Sequence, residues 1–212
     1  MDTEFKFDPR VVELMASRVC HDLVSPVGAI SNGVELINDM GQDALQDALG
    51  LIGDSAGQAS VRLKCFRLSY GAAGTDRNIG FAEVQDAFSG WVKGSHVTVE
   101  FEQGLGLKFS MPPRGFMKSL LNLMMFAEEC SRGVATMAVT AMEGNAGVNI
   151  RLTGARVAPR DGAADALKGV TAIDDLDART VHAYLTGAFV KSFGLTVDLA
   201  VQEGQIDFTL KI

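Results

Sequence analysis

The chain has 212 residues, a formal net charge of −7 and 47% hydrophobic residues. That apolar content suffices for one large domain or two small ones and argues against extensive disorder, while the acidic balance weighs against nucleic acid or an anionic membrane as partner. Three cysteines (Cys20, Cys65 and Cys130) form no CxxC pair and cannot all be disulfide-bonded, which suits a reducing cytosol.

Residues 1–5 have no basic segment leading into an apolar run, so no secretory signal is expected. Asp8-Pro9 is a helix start, with Asp8 as N-cap and Pro9 in the first turn, and Gly41 is the matching stop. The helix between them is roughly 32 residues, or about 48 Å, long. Ala16, Cys20, Leu23, Val27, Ile30, Val34 and Ile37 step alternately by four and three along it, a heptad seam.

Within this helix runs Arg18-Val19-Cys20-His21-Asp22-Leu23-Val24-Ser25-Pro26. His21 points roughly 130° from the middle of the seam and is expected to face outward. An exposed histidine can be an ordinary surface residue. Neutral imidazole is also a nucleophile that accepts a phosphoryl group through a ring nitrogen, and Asp22 beside it can fix the tautomer. Pro26 removes an amide about one turn later and loosens the helix there. The adjacent acid and the proline at this spacing on a heptad helix favour the nucleophile. Ser25 lies one turn after His21, where it can position a water, touch the phosphoryl group or bond back to the backbone.

A second helix is expected over residues 43–70, with a seam of Leu45, Leu49, Ile52, Ala56, Ala59, Leu63, Phe66 and Tyr70. Two heptad helices and a short turn make an αα-hairpin, and a second copy would complete a four-helix bundle, so a homodimer is expected. Counting out from the turn places His21 level with Arg62. Arg62, Lys64 and Arg67, with Arg18, are thus candidate contacts for a phosphoryl group or an acidic partner, although such residues commonly form a solvated face.

Residues 71–75 (Gly-Ala-Ala-Gly-Thr) read as a flexible break between a helical domain, 1–72, and a mixed domain, 76–212. The second half reads as a helix over 81–92, a strand over 96–102 and a helix over 113–130. A strand hairpin follows over 134–141 and 148–153, then a helix over 177–193 and closing strands over 195–201 and 205–211. The longest apolar run, 120–127, contains Asn122 and is too short to span a bilayer. The fold class is α+β, a helical hairpin followed by a two-layer α/β sandwich. His96 and His182 lack ligand-spaced partners and read as structural.

A hairpin bearing His-acid-x-x-x-Pro and followed by such a sandwich resembles the catalytic core of a sensor histidine kinase. The stretch Gly115-Phe116-Met117-Lys118-Ser119-Leu120-Leu121-Asn122-Leu123-Met124-Met125-Phe126-Ala127 is similar to the kinase N-box helix. The departures from that pattern are specific. Phe126 stands where the N-box has its magnesium-holding asparagine. Leu152-Thr153-Gly154-Ala155-Arg156 lacks the aspartate that reads adenine. The segment before the last helix, 181–187, lacks the repeated glycines of a phosphate lid, and Gly104-Leu105-Gly106-Leu107 precedes the N-box-like helix and reads as a turn.

A phospho-accepting hairpin on a degenerate ATPase-like domain resembles the ChpT-like family of histidine phosphotransferases, whose signature the stretch from Arg18 through Leu36 matches. The resemblance implies a cytoplasmic homodimer that relays phosphoryl groups through a phosphohistidine at His21. The donor would be the receiver domain of a hybrid histidine kinase and the acceptors the receivers of response regulators. Asp22 and Ser25 would assist, Mg²⁺ would belong to the partner receiver, and this chain would need no cofactor or metal. The alternatives are an ATP-dependent kinase with a diverged pocket and a phosphorylation-independent receiver-binding module.

Overall fold

A computed structural model describes residues 8–75 and 79–212. The N-terminal stretch read for a secretory signal and the expected start of the second domain at residue 76 lie outside the described residues.

Helix α1 (Pro9–Met40) begins where the Asp8 carboxylate accepts the Arg10 backbone N–H at 2.8 Å, with proline in the first turn. It ends at Gly41, whose φ of 60° a residue with a Cβ adopts at a cost. A 3₁₀ turn (Gly41–Ala44) leads into α2 (Leu45–Ser69). Pro26 is buried inside α1 without ending it.

The hairpin buries one side of each helix, so part of each expected seam stays uncovered. In α1, Leu23, Ile30 and Ile37 are half-buried, while Ala16, Cys20, Val27 and Val34 are exposed. In α2, Ala59 and Phe66 are buried, while Leu49 and Leu63 are exposed. Cys20 is therefore a surface residue rather than a core one. The helices lie close together at Gly33, where a Cβ would lie 2.6 Å from Cγ1 of Ile52.

The segment after the hairpin, expected as a break between domains, forms a 3₁₀ turn (Ala72–Thr75). Gly74 is buried, and a Cβ there would lie 1.7 Å from the Leu68 carbonyl oxygen. Lys118 Nζ donates to the carbonyls of Tyr70 at 3.2 Å and Gly71 at 2.9 Å, closing the end of α2. Asn122 Nδ2 donates to the Ser69 carbonyl at 2.9 Å. Both residues come from the N-box-like helix, which fastens the hairpin to the sandwich.

The sandwich continues with α3 (Phe81–Trp91), β1 (Val97–Phe101), the single turn α4 (Leu105–Lys108) and α5 (Phe116–Glu129). Then come β2 (Ala135–Ala141), β3 (Gly147–Gly154), α6 (Ala163–Leu167), α7 (Val181–Ser192), β4 (Thr196–Gln202) and β5 (Gln205–Lys211). Gly104-Leu105-Gly106-Leu107, expected as a turn, opens α4, and α5 starts three residues later than Pro113 suggested. The strands form one sheet in the order β1-β2-β3-β5-β4, parallel between β1 and β2 and antiparallel elsewhere.

Alternation builds the inner face of this sheet. Met137, Leu152 and Ile206 align in one cross-strand row, and Val139, Ile150 and Phe208 in the next, all buried. Helix α5 lies over them with every residue from Phe116 to Ala127 buried, as a helix that is mostly apolar all round must. Val11, Cys65, Phe66 and Leu68 of the hairpin join the same core, so the hairpin's open end is anchored in the sandwich.

Candidate functional site

His21 projects from the middle of α1 with 88% of its side chain exposed, as its place off the seam requires. Its Nδ1 lies 3.2 Å from Oδ1 of Asp22. A carboxylate at Nδ1 makes that nitrogen the protonated, donating one and leaves the Nε2 lone pair free toward solvent. Because side chains on a helix lean toward its N-terminus, the His21 ring overhangs the turn carrying Ser17 and Arg18.

A cavity of about 590 Å³ opens at this point, lined by Ser17, Arg18, His21, Asp22, Glu129, Arg160, Ala178 and Arg179. One wall is the hairpin and the other the sandwich. Three arginines and a histidine against two carboxylates make it a site suited to an anion. A second cavity of about 430 Å³ shares Arg18, Asp22 and Glu129 with it and extends to Gln58, Arg62, Trp91, Lys93 and Glu128.

The floor between the two cavities is a chain of polar side chains. Arg18 Nη2 bonds Oε1 of Glu129, the last residue of α5. The same oxygen lies 2.6 Å from Nδ1 of His182, near the start of α7, whose side chain has no exposure to solvent. Facing a carboxylate oxygen, which can only accept, Nδ1 is the donor of this pair, and Nε2 is buried without a partner. Burial alone would raise the Glu129 carboxyl, but His182 and Arg18 outweigh it and hold it below the ordinary carboxylate value. Burial works against the Arg18 cation, which Glu129, Tyr70 and Asp22 more than offset. Partial burial, and then the neighbouring Glu129 carboxylate, push the half-buried Glu128 carboxyl up.

Of the residues singled out by sequence, Arg18, His21 and Asp22 come together at the first cavity. Ser25 is exposed and lines neither cavity. The basic residues expected level with His21 do not line its cavity. Arg62 stacks over Trp91 at 5.0 Å in the second cavity, and Arg67 pairs with Glu83 at 3.5 Å. Lys64 lines neither cavity. Besides Arg18, the cations that line the His21 cavity are Arg160 and Arg179, from loops of the sandwich, where no local pattern marked them. His182, read as structural, holds Glu129.

At the N-box position, Phe126 is buried edge-on against Phe208, with ring centres 5.5 Å apart, and against His182 at 6.3 Å. Among the described residues, no helix is long and apolar enough to cross a membrane.

The histidine phosphotransferase C-terminal domain family matches residues 81–205. The chain is 29% identical over 202 residues to protein phosphotransferase ChpT of Brucella abortus (strain 2308), with 92% of each chain covered. It also superposes on the solved structure of a bacterial phosphotransferase with a TM-score of 0.78, at 25% identity and over 99% of both chains.

Proposed function

This chain belongs to the histidine phosphotransferase family, and on that footing we propose that it relays phosphoryl groups between receiver domains through a phosphohistidine at His21. The observation that carries the reading is the pairing of an exposed imidazole, its Nδ1 tied to Asp22, with the arginine-walled cavity beside it.

In the forward step the Nε2 lone pair attacks the phosphorus of an aspartyl phosphate on the donor receiver. The P–N bond forms, the P–O bond breaks, and the aspartate leaves as a carboxylate. Asp22 keeps Nδ1 protonated and the ring oriented as positive charge develops on it. An acceptor aspartate then reverses the chemistry on a second receiver. The receivers bring the acidic pocket and Mg²⁺, so this chain contributes a nucleophile and leaving group and uses neither nucleotide nor metal. The burial of Phe126 in the core, where a kinase would hold its magnesium asparagine, supports this division of labour.

The working unit is a cytoplasmic homodimer. Val27, Val34, Leu49 and Leu63 are exposed on the hairpin faces that the partner helix leaves uncovered. A second hairpin would cover those rows and complete a four-helix bundle.

The test is incubation with a receiver already carrying labelled phosphate, with Mg²⁺, beside a reaction supplying labelled ATP alone. Label acquired from the receiver and not from ATP is the expected result. Label from ATP alone would make the protein a kinase, and receiver binding without label would leave an interaction module.

A further inference from the structure

The sandwich reaches the His21 site through one continuous chain of side-chain contacts. His182 on α7 holds Glu129 at the end of α5, and Glu129 holds Arg18 on α1. Arg18 stands one helical turn before His21, on the same side of the helix, and four residues before Asp22. The groups facing the Arg18 guanidinium are Asp22 from its own helix, Tyr70 after α2, Glu129 from α5 and, behind Glu129, His182 from α7. Arginine lines both cavities here, yet only one of its nitrogens is committed to Glu129, and Nε is buried without a partner. A flexible side chain is thus held at its tip by a carboxylate that is itself fixed from behind.

We propose that Glu129 and His182 are positioning residues for the phosphotransfer reaction: they hold the Arg18 guanidinium beside His21, where it meets the anion that forms when His21 is phosphorylated. The inference rests on His21 being the phosphorylated residue. It gives the sandwich a part in the chemistry that requires no nucleotide. A phosphoryl group on Nε2 adds negative charge at the cavity mouth, and a preplaced guanidinium meets it without reorganisation. Released from Glu129, Arg18 would sample other rotamers and meet it only part of the time.

The experiment follows phosphohistidine formation in the full-length protein from a phosphorylated receiver and, separately, from phosphoramidate. Phosphoramidate gives up its phosphoryl group by breaking its own P–N bond, releases ammonia and needs no partner protein. The variants are His182→Leu, His182→Asn, Arg18→Ala and the double variant Arg18→Ala/His182→Leu, each first checked for an intact thermal unfolding transition. His182→Leu is expected to lower kcat about tenfold with the receiver KM unchanged, within the range that remote misplacement of a reacting group produces. His182→Asn, whose amide can donate where Nδ1 does, should recover most of the rate. In the Arg18→Ala background, His182→Leu should have no further effect, because the group it positions is already gone.

Equal fold-losses in the two backgrounds, or no recovery with asparagine, would overturn the proposal while leaving His21 as the acceptor. Wild-type protein that takes no phosphate from either donor would overturn the phosphohistidine reading itself, and the inference with it.

Discussion

Nδ1 of His21 lies 3.2 Å from Oδ1 of Asp22, on a ring with 88% of its surface open to solvent. The ring packs against little, so its chemistry and its contribution to stability separate. His21→Ala should abolish phosphate uptake and change the unfolding free energy by no more than about 0.5 kcal/mol, the range for exposed positions. Labelling and urea unfolding of the same preparation check both halves. Asp22→Asn should keep a hydrogen-bonding side chain but lose the fixed tautomer, slowing transfer about 100-fold within the usual range for a group of this kind.

Glu129 behaves in the opposite way. Glu129→Leu leaves the Arg18 cation largely buried without its carboxylate and should cost about 3–5 kcal/mol, as breaking one side of a buried ion pair does. The Glu129 carboxyl sits below its ordinary value of 4.5 in the folded protein. Its contribution is therefore present above that value and lost as pH falls through the folded one. Wild type should lose its advantage over the variant on the acid side, as read by urea unfolding across a pH series.

Burial holds Lys118 down at about 8, against an ordinary 10.5. Below about pH 8 both folded and unfolded chains carry the proton, and the folded one bears the burial cost of the charge. Between about 8 and 10.5 the unfolded chain binds more protons, so Lys118 makes stability rise with pH in that window. Lys118→Met also loses the bonds to Tyr70 and Gly71, a pH-independent loss to first order. The wild-type-minus-variant stability difference should thus grow in favour of wild type from about pH 8 to 10.5; a flat difference would contradict the assignment.

The exposed apolar rows of the hairpin lead to a further expectation. Wild-type protein should run at twice 22.5 kDa in light scattering at micromolar concentration. Leu63→Glu with Val27→Glu should shift it toward the monomer mass, because each places a charge in a face that a second copy would desolvate.

Much of the fold was legible because local signals agreed with the tertiary answer. Asp8-Pro9 and Gly41 bound α1 as capping chemistry requires, and the alternation in 134–141, 148–153 and 205–211 gave strands of the sheet. The seam of α1 misled because a heptad pattern records every apolar contact a helix makes. It does not separate the hairpin partner from surfaces beyond it, so Cys20 and Val27 looked alike with Leu23. His21 and Asp22 were visible as adjacent letters, whereas Arg160 and Arg179 reach the site from loops whose approach only the fold dictates. Glu129 left a trace: two acids at the end of a helix with no exposed face need partners, and His182 and Arg18 are those partners for Glu129.

The most direct test of the relay is a three-component reconstitution: a labelled donor receiver, this protein and an unlabelled acceptor receiver, with Mg²⁺. With wild type, label should leave the donor, pass through an acid-labile phosphohistidine on this chain and accumulate on the acceptor. With His21→Ala it should stay on the donor. Label that reaches the acceptor equally fast with His21→Ala would contradict the account.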